Sequence, residues 1–318
     1  MARSVGVTRD NGRHWSYPQH IYTNLPQGYL NGSLFGASCN GKLCIATGNF
    51  QNEQGSRPLL ALSRNGGTIW SYPNEIQTKL PANFIRGNFA GATCSGTICI
   101  ASRSYDIEGG QSRPLLAVTK DSGQHWTYPT SIQNLPACTT SATLYSPSCS
   151  GNLCIAAGEF ETEEFRRPLL AISHTGGSTW SYPSTIYQNV PQQSNSAVFE
   201  SASCSGTLCI ATGFFDALDG KRKPLLAVTR DGGSHWSYPS VIYNNLPADF
   251  NDKGVLSYGA NCKGSICTAI GQYNDGNVNR PLLAISSDGG VSWSYPSEIH
   301  SNSTLPANFI EGVFSPDL

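Results

Sequence analysis

The chain has 318 residues, with 20 basic and 21 acidic side chains and a formal net charge of −1. This balance gives no electrostatic footprint for nucleic acid or for an anionic membrane surface. No apolar run approaches the roughly 18 residues that a membrane-spanning helix requires, so the sequence predicts no transmembrane segment.

The N-terminal residues, Met-Ala-Arg-Ser-Val-Gly, have no apolar core and do not resemble a signal peptide. They lie directly before the middle of a sequence repeat. We therefore expect the sequence to begin inside a longer precursor.

A short motif, Ser/Thr-x-Asp-x-Gly-x-x-Trp, occurs six times, and Trp-Ser/Thr-Tyr-Pro continues every copy. In two copies Asn65 or Thr175 replaces the aspartate. The motifs contain all six tryptophans, which are 54 to 57 residues apart, so the chain is built from a repeat of about 55 residues. The copies are Thr8–Trp15, Ser63–Trp70, Thr119–Trp126, Ser173–Trp180, Thr229–Trp236 and Ser286–Trp293.

Each repeat is predicted to contain four short strands, A to D. In residues 83–137 these are Asn88–Cys94, Ile98–Tyr105, Arg113–Thr119 and His125–Tyr128. The connections are rich in Gly, Pro, Ser and Asn, and no helix is predicted. Four strands in each repeat without helices favour an all-β fold of the β-propeller type.

Five complete repeats span approximately 28–82, 83–137, 138–192, 193–248 and 249–307. Residues 1–27 would supply strands C and D of a sixth repeat, and residues 308–318 its strand A. We therefore predict one domain over residues 1–318, a six-bladed β-propeller whose sixth blade is shared between the termini and lacks one strand. A trimmed chain and a larger ring cut short are the alternatives.

Ten of the eleven cysteines form five Cys-x4-Cys pairs, and Cys138 is left over. The second residue between each pair is glycine, which predicts a tight hairpin with the cysteines facing each other. A zinc site would need four ligands close together, which these separate pairs do not provide, so we expect five disulfides. Disulfides in turn indicate a secreted or periplasmic protein. The sequence indicates no metal site and no cofactor. The predicted pairs are Cys39–Cys44, Cys94–Cys99, Cys149–Cys154, Cys204–Cys209 and Cys262–Cys267.

The eight-residue motif resembles the Asp-box, or BNR repeat, of sialidases and their relatives. The resemblance implies that each box joins the third and fourth strands of a blade, on the face away from the substrate. It also implies that the aspartate accepts backbone N–H groups, that the glycine has a positive φ and that the tryptophan packs between blades. Asn65 can cap its turn in the same way, whereas Thr175 is expected to do so poorly.

Variable B–C loops are the first candidate for ligand binding. An aromatic residue stands six positions after the second cysteine of every repeat, and a basic residue opens every strand C. We predict aromatic platforms and cations that bind sugars, and packing between blades is the alternative interpretation. The aromatic series is Phe50, Tyr105, Phe160, Phe215 and Tyr273, and the basic series is Arg57, Arg113, Arg167, Lys223 and Arg280.

The links between strands D and A form a second candidate series, because one position in them varies between repeats. Its members are Tyr22, Tyr187, Tyr243 and His300, with Gln77 and Gln133 at the matching positions.

Catalysis is the alternative to simple binding. A sialidase-like site would require three arginines, a Tyr–Glu pair and a further acid, and Phe165-Arg166-Arg167-Pro168 is only weakly similar to the sialidase Phe/Tyr-Arg-Ile-Pro motif. Glu200 is a weak catalytic candidate, because the matching residues of other repeats are Phe35, Ala90, Tyr145 and Tyr258.

The uniform repeats favour a secreted, non-catalytic propeller that binds a glycan or another cell-surface ligand at several equivalent sites. A sialidase-like glycoside hydrolase and a protein-binding scaffold or adhesin are the alternatives. The sequence makes no prediction of the oligomeric state.

Overall fold

The computed structural model describes residues 5–300, except residues 11, 19–20, 22, 130, 189 and 192–193. The strand predicted at 308–318 lies outside the described residues. The strands are β1 Val7–Thr8, β2 Trp15–Ser16, β3 Asn31–Asn40, β4 Leu43–Asn52, β5 Gly55–Ser63, β6 Arg86–Ser95, β7 Ile98–Asp106, β8 Ser112–Thr119, β9 Ile132–Gln133, β10 Ser141–Ser150, β11 Leu153–Glu161, β12 Arg166–Ser173, β13 Trp180–Ser181, β14 Ser194–Ser205, β15 Leu208–Ala217, β16 Arg222–Thr229, β17 Gly254–Lys263, β18 Ile266–Asn274 and β19 Asn279–Ser286. The helices are α1 Glu75–Thr78, α2 Ser184–Gln188, α3 Val241–Asn244 and α4 Ser297–His300.

The chain divides into two compact units. Unit 1 contains residues 1–133, 140–154 and 173–180, and unit 2 contains residues 134–139, 155–172 and 181–318. Each unit contains antiparallel sheets of three strands in sequence order: β3–β4–β5 and β6–β7–β8 in unit 1, and β14–β15–β16 and β17–β18–β19 in unit 2. The predicted all-β class is confirmed, whereas six blades and a single domain remain predictions.

The second repeat shows how closely the strands follow the sequence pattern. Strands β6, β7 and β8 begin and end within two residues of the predicted strands A, B and C. The predicted fourth strand is reduced to one bridge between Val118 and Thr127. The expectation of no helix was wrong, because a helix of four or five residues follows the Ser/Thr-Tyr-Pro sequence in several repeats. No helix within the described ranges is long and apolar enough to cross a membrane.

All five predicted disulfides are present. Each joins the two cysteines that face each other across a hairpin, as Cys94 and Cys99 do between β6 and β7. Cys138 is free and exposed. Disulfides fit an oxidising compartment such as the periplasm or the extracellular space.

The box turns are closed by hydrogen bonds, among them the aspartate cap that the Asp-box resemblance implies. In the fifth copy the Thr229 hydroxyl accepts the Gly233 N–H at 2.9 Å, and the Asp231 carboxylate accepts the His235 N–H at 2.9 Å. The Trp236 indole N–H donates to the Gly233 carbonyl at 3.2 Å. These bonds satisfy the turn's polar groups within eight residues.

The box with Thr175 is capped at the same N–H group as the boxes with Asp121 and Asp231, so the expectation of a poor cap was wrong. The Thr175 hydroxyl accepts the Thr179 N–H at 3.0 Å. The Trp180 indole still donates to the Gly177 carbonyl at 2.8 Å. A hydroxyl oxygen at this position reaches the same N–H group as a carboxylate oxygen.

Glycine in the box allows one repeat to pack against the preceding one. A Cβ atom on Gly123 would lie 2.5 Å from Leu62, and one on Gly290 would lie 2.8 Å from Val228. Trp126 is fully buried in a cluster that contains Leu62 and Phe89, which come from successive repeats. This cluster confirms that the tryptophan packs between repeats in unit 1.

Hydrogen bonds also join successive repeats at fixed positions. The Tyr128 hydroxyl donates to the Ile76 carbonyl at 2.8 Å in unit 1, and the Tyr238 hydroxyl donates to the Ile186 carbonyl at 2.8 Å in unit 2. In both pairs, the tyrosine of the Trp-Ser/Thr-Tyr-Pro sequence therefore donates a hydrogen bond to the link of the preceding repeat. This contact fixes the backbone of the links, where ligand-binding residues were predicted.

Candidate functional site

The aromatic series predicted to bind sugars is largely buried. Phe50, Phe160, Phe215 and Tyr273 expose 0 to 2% of their surface, and only Tyr105 is partly exposed. Other rings cover them: Phe50 stacks on Tyr29 with centroids 5.7 Å apart. The prediction that these four rings are platforms for a ligand is therefore wrong, because they are buried on the second long strand of their repeats.

The basic series mainly holds its own loops in place. Arg113 donates to the Thr140 carbonyl at 2.7 Å, and Arg280 forms an ion pair with Asp275 at 2.7 Å. Arg167 lies 4.2 Å from the centroid of Phe165 and Lys223 pairs with Asp219 at 3.2 Å. These contacts favour the structural interpretation for four of the five cations.

Arg57 differs because it lines a cleft in unit 1. Its guanidinium lies 5.1 Å from the centroid of the Phe84 ring, and it donates to the Gln54 side chain at 2.9 Å. Residues 24–30, 52–57 and 72–80 supply most of the cleft wall, and the cleft has a volume of about 770 Å³. That volume lies in the range of small-molecule binding sites.

Tyr29 forms an aromatic surface in this cleft. Its ring stacks on the buried ring of Phe50 at an interplanar angle of 17°, so Phe50 supports one face of Tyr29. Gly32 makes the arrangement possible, since a Cβ atom there would lie 2.9 Å from the Tyr29 ring. The positive φ of 75° at Gly28 turns the link so that Tyr29 follows it in this position.

Polar side chains surround the aromatic surface. Asn52, Asn74 and Gln77 line the cleft with amide groups, and Gln77 donates to the Pro58 carbonyl at 2.6 Å. Amides present both donors and acceptors, as sugar hydroxyl groups require. The cleft therefore combines an aromatic surface, amides and one guanidinium.

The structure describes only part of the predicted link series. Tyr22 lies outside the described residues, and so do the side chains of Tyr187 and His300. Tyr243 is partly exposed and packs edge-on against Phe215 with centroids 5.7 Å apart. Among the members whose side chains the structure describes, Gln77 lines the cleft.

Sequence reasoning missed Tyr29, although a signal was available. An aromatic residue stands three positions after the proline of several Leu-Pro links, at Tyr29, Phe84 and Phe250. All three are partly exposed, and Phe84 stacks on Tyr105 as Tyr29 does on Phe50. In the first stack the link residue Tyr29 is the partly exposed ring and Phe50 is buried behind it, whereas Phe84 and Tyr105 are both partly exposed.

Glu200 lies at a β-bulge in unit 2. The pairing of β14 with β15 shifts between Phe199 and Ser201, so Glu200 is the extra residue of the bulge. Phe35 and Ala90 occupy the same irregular position in unit 1. Bulges redirect side chains and are common beside active sites.

Charged residues converge around Glu200. Burial raises its pKa above the ordinary value and nearby Glu159 raises it further, whereas the Ser257 hydroxyl, Arg166 and Arg222 lower it. Glu159 forms an ion pair with Arg166. A carboxyl group with a raised pKa can hold a proton for transfer, which is the property of a general acid.

A tyrosine completes this cluster. Burial and the proximity of Glu200 both raise the pKa of Tyr258. Arg222 lies 4.0 Å from the centroid of the Phe214 ring and donates to Asp216 at 2.7 Å. Glu200 has no acidic counterpart in the other repeats, whereas Tyr258 matches Tyr145 and Arg222 matches Arg166. In the described part of the chain, no three histidine, cysteine, aspartate or glutamate side chains are arranged to hold a metal ion.

A family profile described as a BNR repeat-like domain matches residues 2–261. A search among curated proteins gives no significant match. Among solved structures, Hadza microbial sialidase Hz136 is similar with a TM-score of 0.53 and 12% identity, over 92% of this chain and 59% of that one. Trypanosoma rangeli sialidase in complex with the inhibitor DANA is similar with a TM-score of 0.51 and 12% identity, over 87% of this chain and 48% of that one. The chain thus spans about half to three fifths of these sialidases, and the likeness concerns the fold.

Proposed function

This chain belongs to the BNR repeat-like domain family, and we propose that it is a secreted protein that binds glycans without hydrolysing them. The cleft of about 770 Å³ in unit 1 is the observation that supports this function. We also propose the six-bladed propeller for its architecture, in keeping with the sialidase-like fold.

A sugar would lie with its apolar face on Tyr29. The C–H groups of a pyranose ring pack well on an aromatic surface, while its hydroxyl groups need donors and acceptors at the ring edge. Asn52, Asn74 and Gln77 offer both kinds of group. Arg57 is held by Gln54 and Phe84, so it needs little reorganisation to donate to a sugar oxygen.

Repetition would strengthen weak binding. Phe84 with Tyr105 in unit 1 repeats the stack of Tyr29 with Phe50, and Phe250 in unit 2 has Lys221 at 5.9 Å from its ring centroid. Tyr29, Phe84 and Phe250 each belong to a Leu-Pro link. Several weak sites on one chain raise the avidity for a glycan-covered surface without any new contact.

A glycan array with three variants tests this proposal. We expect the oxidised protein to bind a defined set of neutral glycans, and Tyr29→Ala and Gln77→Ala to weaken binding at least about tenfold, the effect of losing about 1.4 kcal/mol. Tyr17→Ala is the matched control, because Tyr17 is 63% exposed and does not line the cleft.

A blank array from folded protein would overturn glycan binding and favour the protein-binding scaffold instead. Equal binding by Tyr29→Ala and the parent protein would exclude the cleft as the site.

Sialidase-like hydrolysis is the second candidate function, and the cluster around Glu200 favours it. Glu200 is acidic at a position where the other repeats have Phe, Ala or Tyr, and Tyr258, Arg166 and Arg222 add a phenol and two cations. Glycosidases generally require two carboxyl groups beside the scissile bond, and Glu159 would be the second. Release of sialic acid from a sialoside, abolished by Glu200→Gln, would establish catalysis. No release at high enzyme concentration would remove this candidate.

A further inference from the structure

Two opposite charges line the cleft of unit 1 beside its amide groups. Glu53 and Arg57 both belong to the cleft wall, so their formal charges cancel. Glu53 is exposed and lies in the loop between β4 and β5. A carboxylate in the wall repels an anionic ligand. The cleft therefore favours a neutral ligand, which it must recognise by its polar and apolar groups rather than by its charge.

The side-chain amide of Gln77 is held in one orientation. Its nitrogen donates to the Pro58 carbonyl oxygen at 2.6 Å. A carbonyl oxygen can only accept a hydrogen bond, so the amide cannot be turned around without losing this contact. Within the described part of the chain, no hydrogen bond reaches the side-chain oxygen of Gln77. The cleft wall therefore offers a ligand an acceptor that is already oriented.

Arg57 supplies the complementary donor. One terminal nitrogen of its guanidinium donates to the Gln54 side-chain oxygen at 2.9 Å, and the guanidinium also packs on the Phe84 ring. A guanidinium carries several N–H groups, so those not directed at Gln54 remain for a ligand. The cleft thus contains one oriented acceptor and one oriented donor.

Two aliphatic side chains complete the cleft wall. Leu60 and Ile76 line the cleft, although each exposes only 2% of its surface. Both belong to the hydrophobic cluster that contains Trp126, so their positions are fixed by core packing. The small apolar area that they offer suits a methyl group rather than a sugar ring.

We propose that this cleft is specific for hexosamines with an acetamido group, such as N-acetylglucosamine, over hexoses with a hydroxyl group at the same carbon. This specificity rests on the glycan-binding function proposed above. The acetamido N–H donates to the Gln77 oxygen, and the acetamido carbonyl accepts from Arg57. Its methyl group packs on Leu60 and Ile76, while the sugar ring lies on Tyr29. A hydroxyl group has no apolar part and cannot make this set of contacts.

Calorimetric titration of the oxidised protein with three monosaccharides tests the specificity. Glucose lacks the acetamido group, and N-formylglucosamine keeps its N–H and carbonyl but lacks the methyl group. We expect N-acetylglucosamine to bind at least about tenfold more tightly than glucose, with N-formylglucosamine between them. Equal binding of N-formylglucosamine and N-acetylglucosamine would overturn the methyl contact.

Gln77→Met is the decisive variant, because it keeps the length of the side chain and removes the oriented acceptor. Its affinity for N-acetylglucosamine should fall at least about tenfold, whereas its affinity for glucose should change by less than about twofold. Gln124→Met is the matched control, since Gln124 is exposed and does not line the cleft. If Gln77→Met does not fold, the three sugars still decide the question with the parent protein.

Different results would overturn this inference and the glycan-binding proposal. Equal affinities of the parent protein for N-acetylglucosamine and glucose would overturn the specificity and leave glycan binding in place. An unchanged preference in Gln77→Met would overturn the role of its amide. The absence of saturable binding of all three sugars would instead contradict glycan binding itself. Tyr29→Ala should weaken the binding of both sugars equally, because it removes the surface for the ring that they share.

Discussion

Tyrosine hydroxyl groups that join successive repeats provide a direct test of how the repeats are held together. Tyr238 donates to the carbonyl of buried Ile186 at 2.8 Å. Burial raises the pKa of Tyr238 well above its usual value, so the hydroxyl remains a donor over the whole working pH range. Tyr238→Phe keeps the ring and removes this donor. The carbonyl group then stays buried without its partner.

The expected loss is about 1–3 kcal/mol in the free energy of unfolding. An unfolding entropy of about 2.1 cal/mol/K per residue gives about 0.7 kcal/mol/K for 318 residues, so the Tm should fall by about 1.5–4.5 °C. The fall is larger if unit 2 unfolds independently, because the unfolding entropy is then smaller.

Thermal unfolding followed by circular dichroism measures this change. Tyr17→Phe is the matched control, because Tyr17 occupies the same motif position but is 63% exposed. We expect no change in its Tm. Equal melting of the two variants would refute the view that these hydroxyl groups stabilise the contact between repeats.

Three further changes test the bulge, the acid response and the hairpins. Gly213→Ala should lower the free energy of unfolding in urea by more than about 3 kcal/mol, since its Cβ atom would lie 2.0 Å from the Val198 carbonyl oxygen. Gly264→Ala is the control and should cost only about 1 kcal/mol, because no atom lies within 4 Å of its Cβ position. Backbone N–H groups of Val278 and Asn277, together with Arg280, lower the pKa of Asp275 from 3.8 to about 2. The stabilising effect of Asp275 is therefore present above pH 3.8 and is lost as the pH falls towards 2. Asp275→Asn should make the urea midpoint less dependent on pH over that interval. Replacing Cys204 and Cys209 together by alanine should lower the free energy of unfolding by about 2 kcal/mol. Cys138→Ala is the control and should leave the free energy of unfolding unchanged.

Local periodic features explain why much of the fold was predictable. The Cys-x4-Cys pairs mark each hairpin, and the boxes mark each turn after strand C, so strand ends in repeat 2 were predicted within two residues. These signals depend on neighbours in the sequence. The same pattern missed the helix Glu75–Thr78, because a helix of one turn leaves no periodic signature.

The candidate site was harder to predict, because exposure depends on neighbouring segments. Phe50 and Tyr29 are both aromatic, and only their stacking shows which ring is covered. The position of Glu200 could not be derived either, since the bulge is revealed by strand register rather than by composition. A comparison of the repeats did single out Glu200 as different from its counterparts. Such a comparison identifies an unusual residue but does not give its position in the fold.

Backbone contacts explain why bulge residues can vary while the aromatic series cannot. The Ala90 carbonyl accepts the Thr47 hydroxyl at 3.3 Å, and the Tyr145 carbonyl accepts the Ser102 hydroxyl at 3.4 Å. Both contacts use a backbone carbonyl at the same repeat position, so they are independent of its side chain. Phe50 and its counterparts, by contrast, fill buried space that only a large ring can fill. Uniform positions in this chain therefore maintain the fold, and the residues free to adapt to a ligand lie at the bulges and in the links.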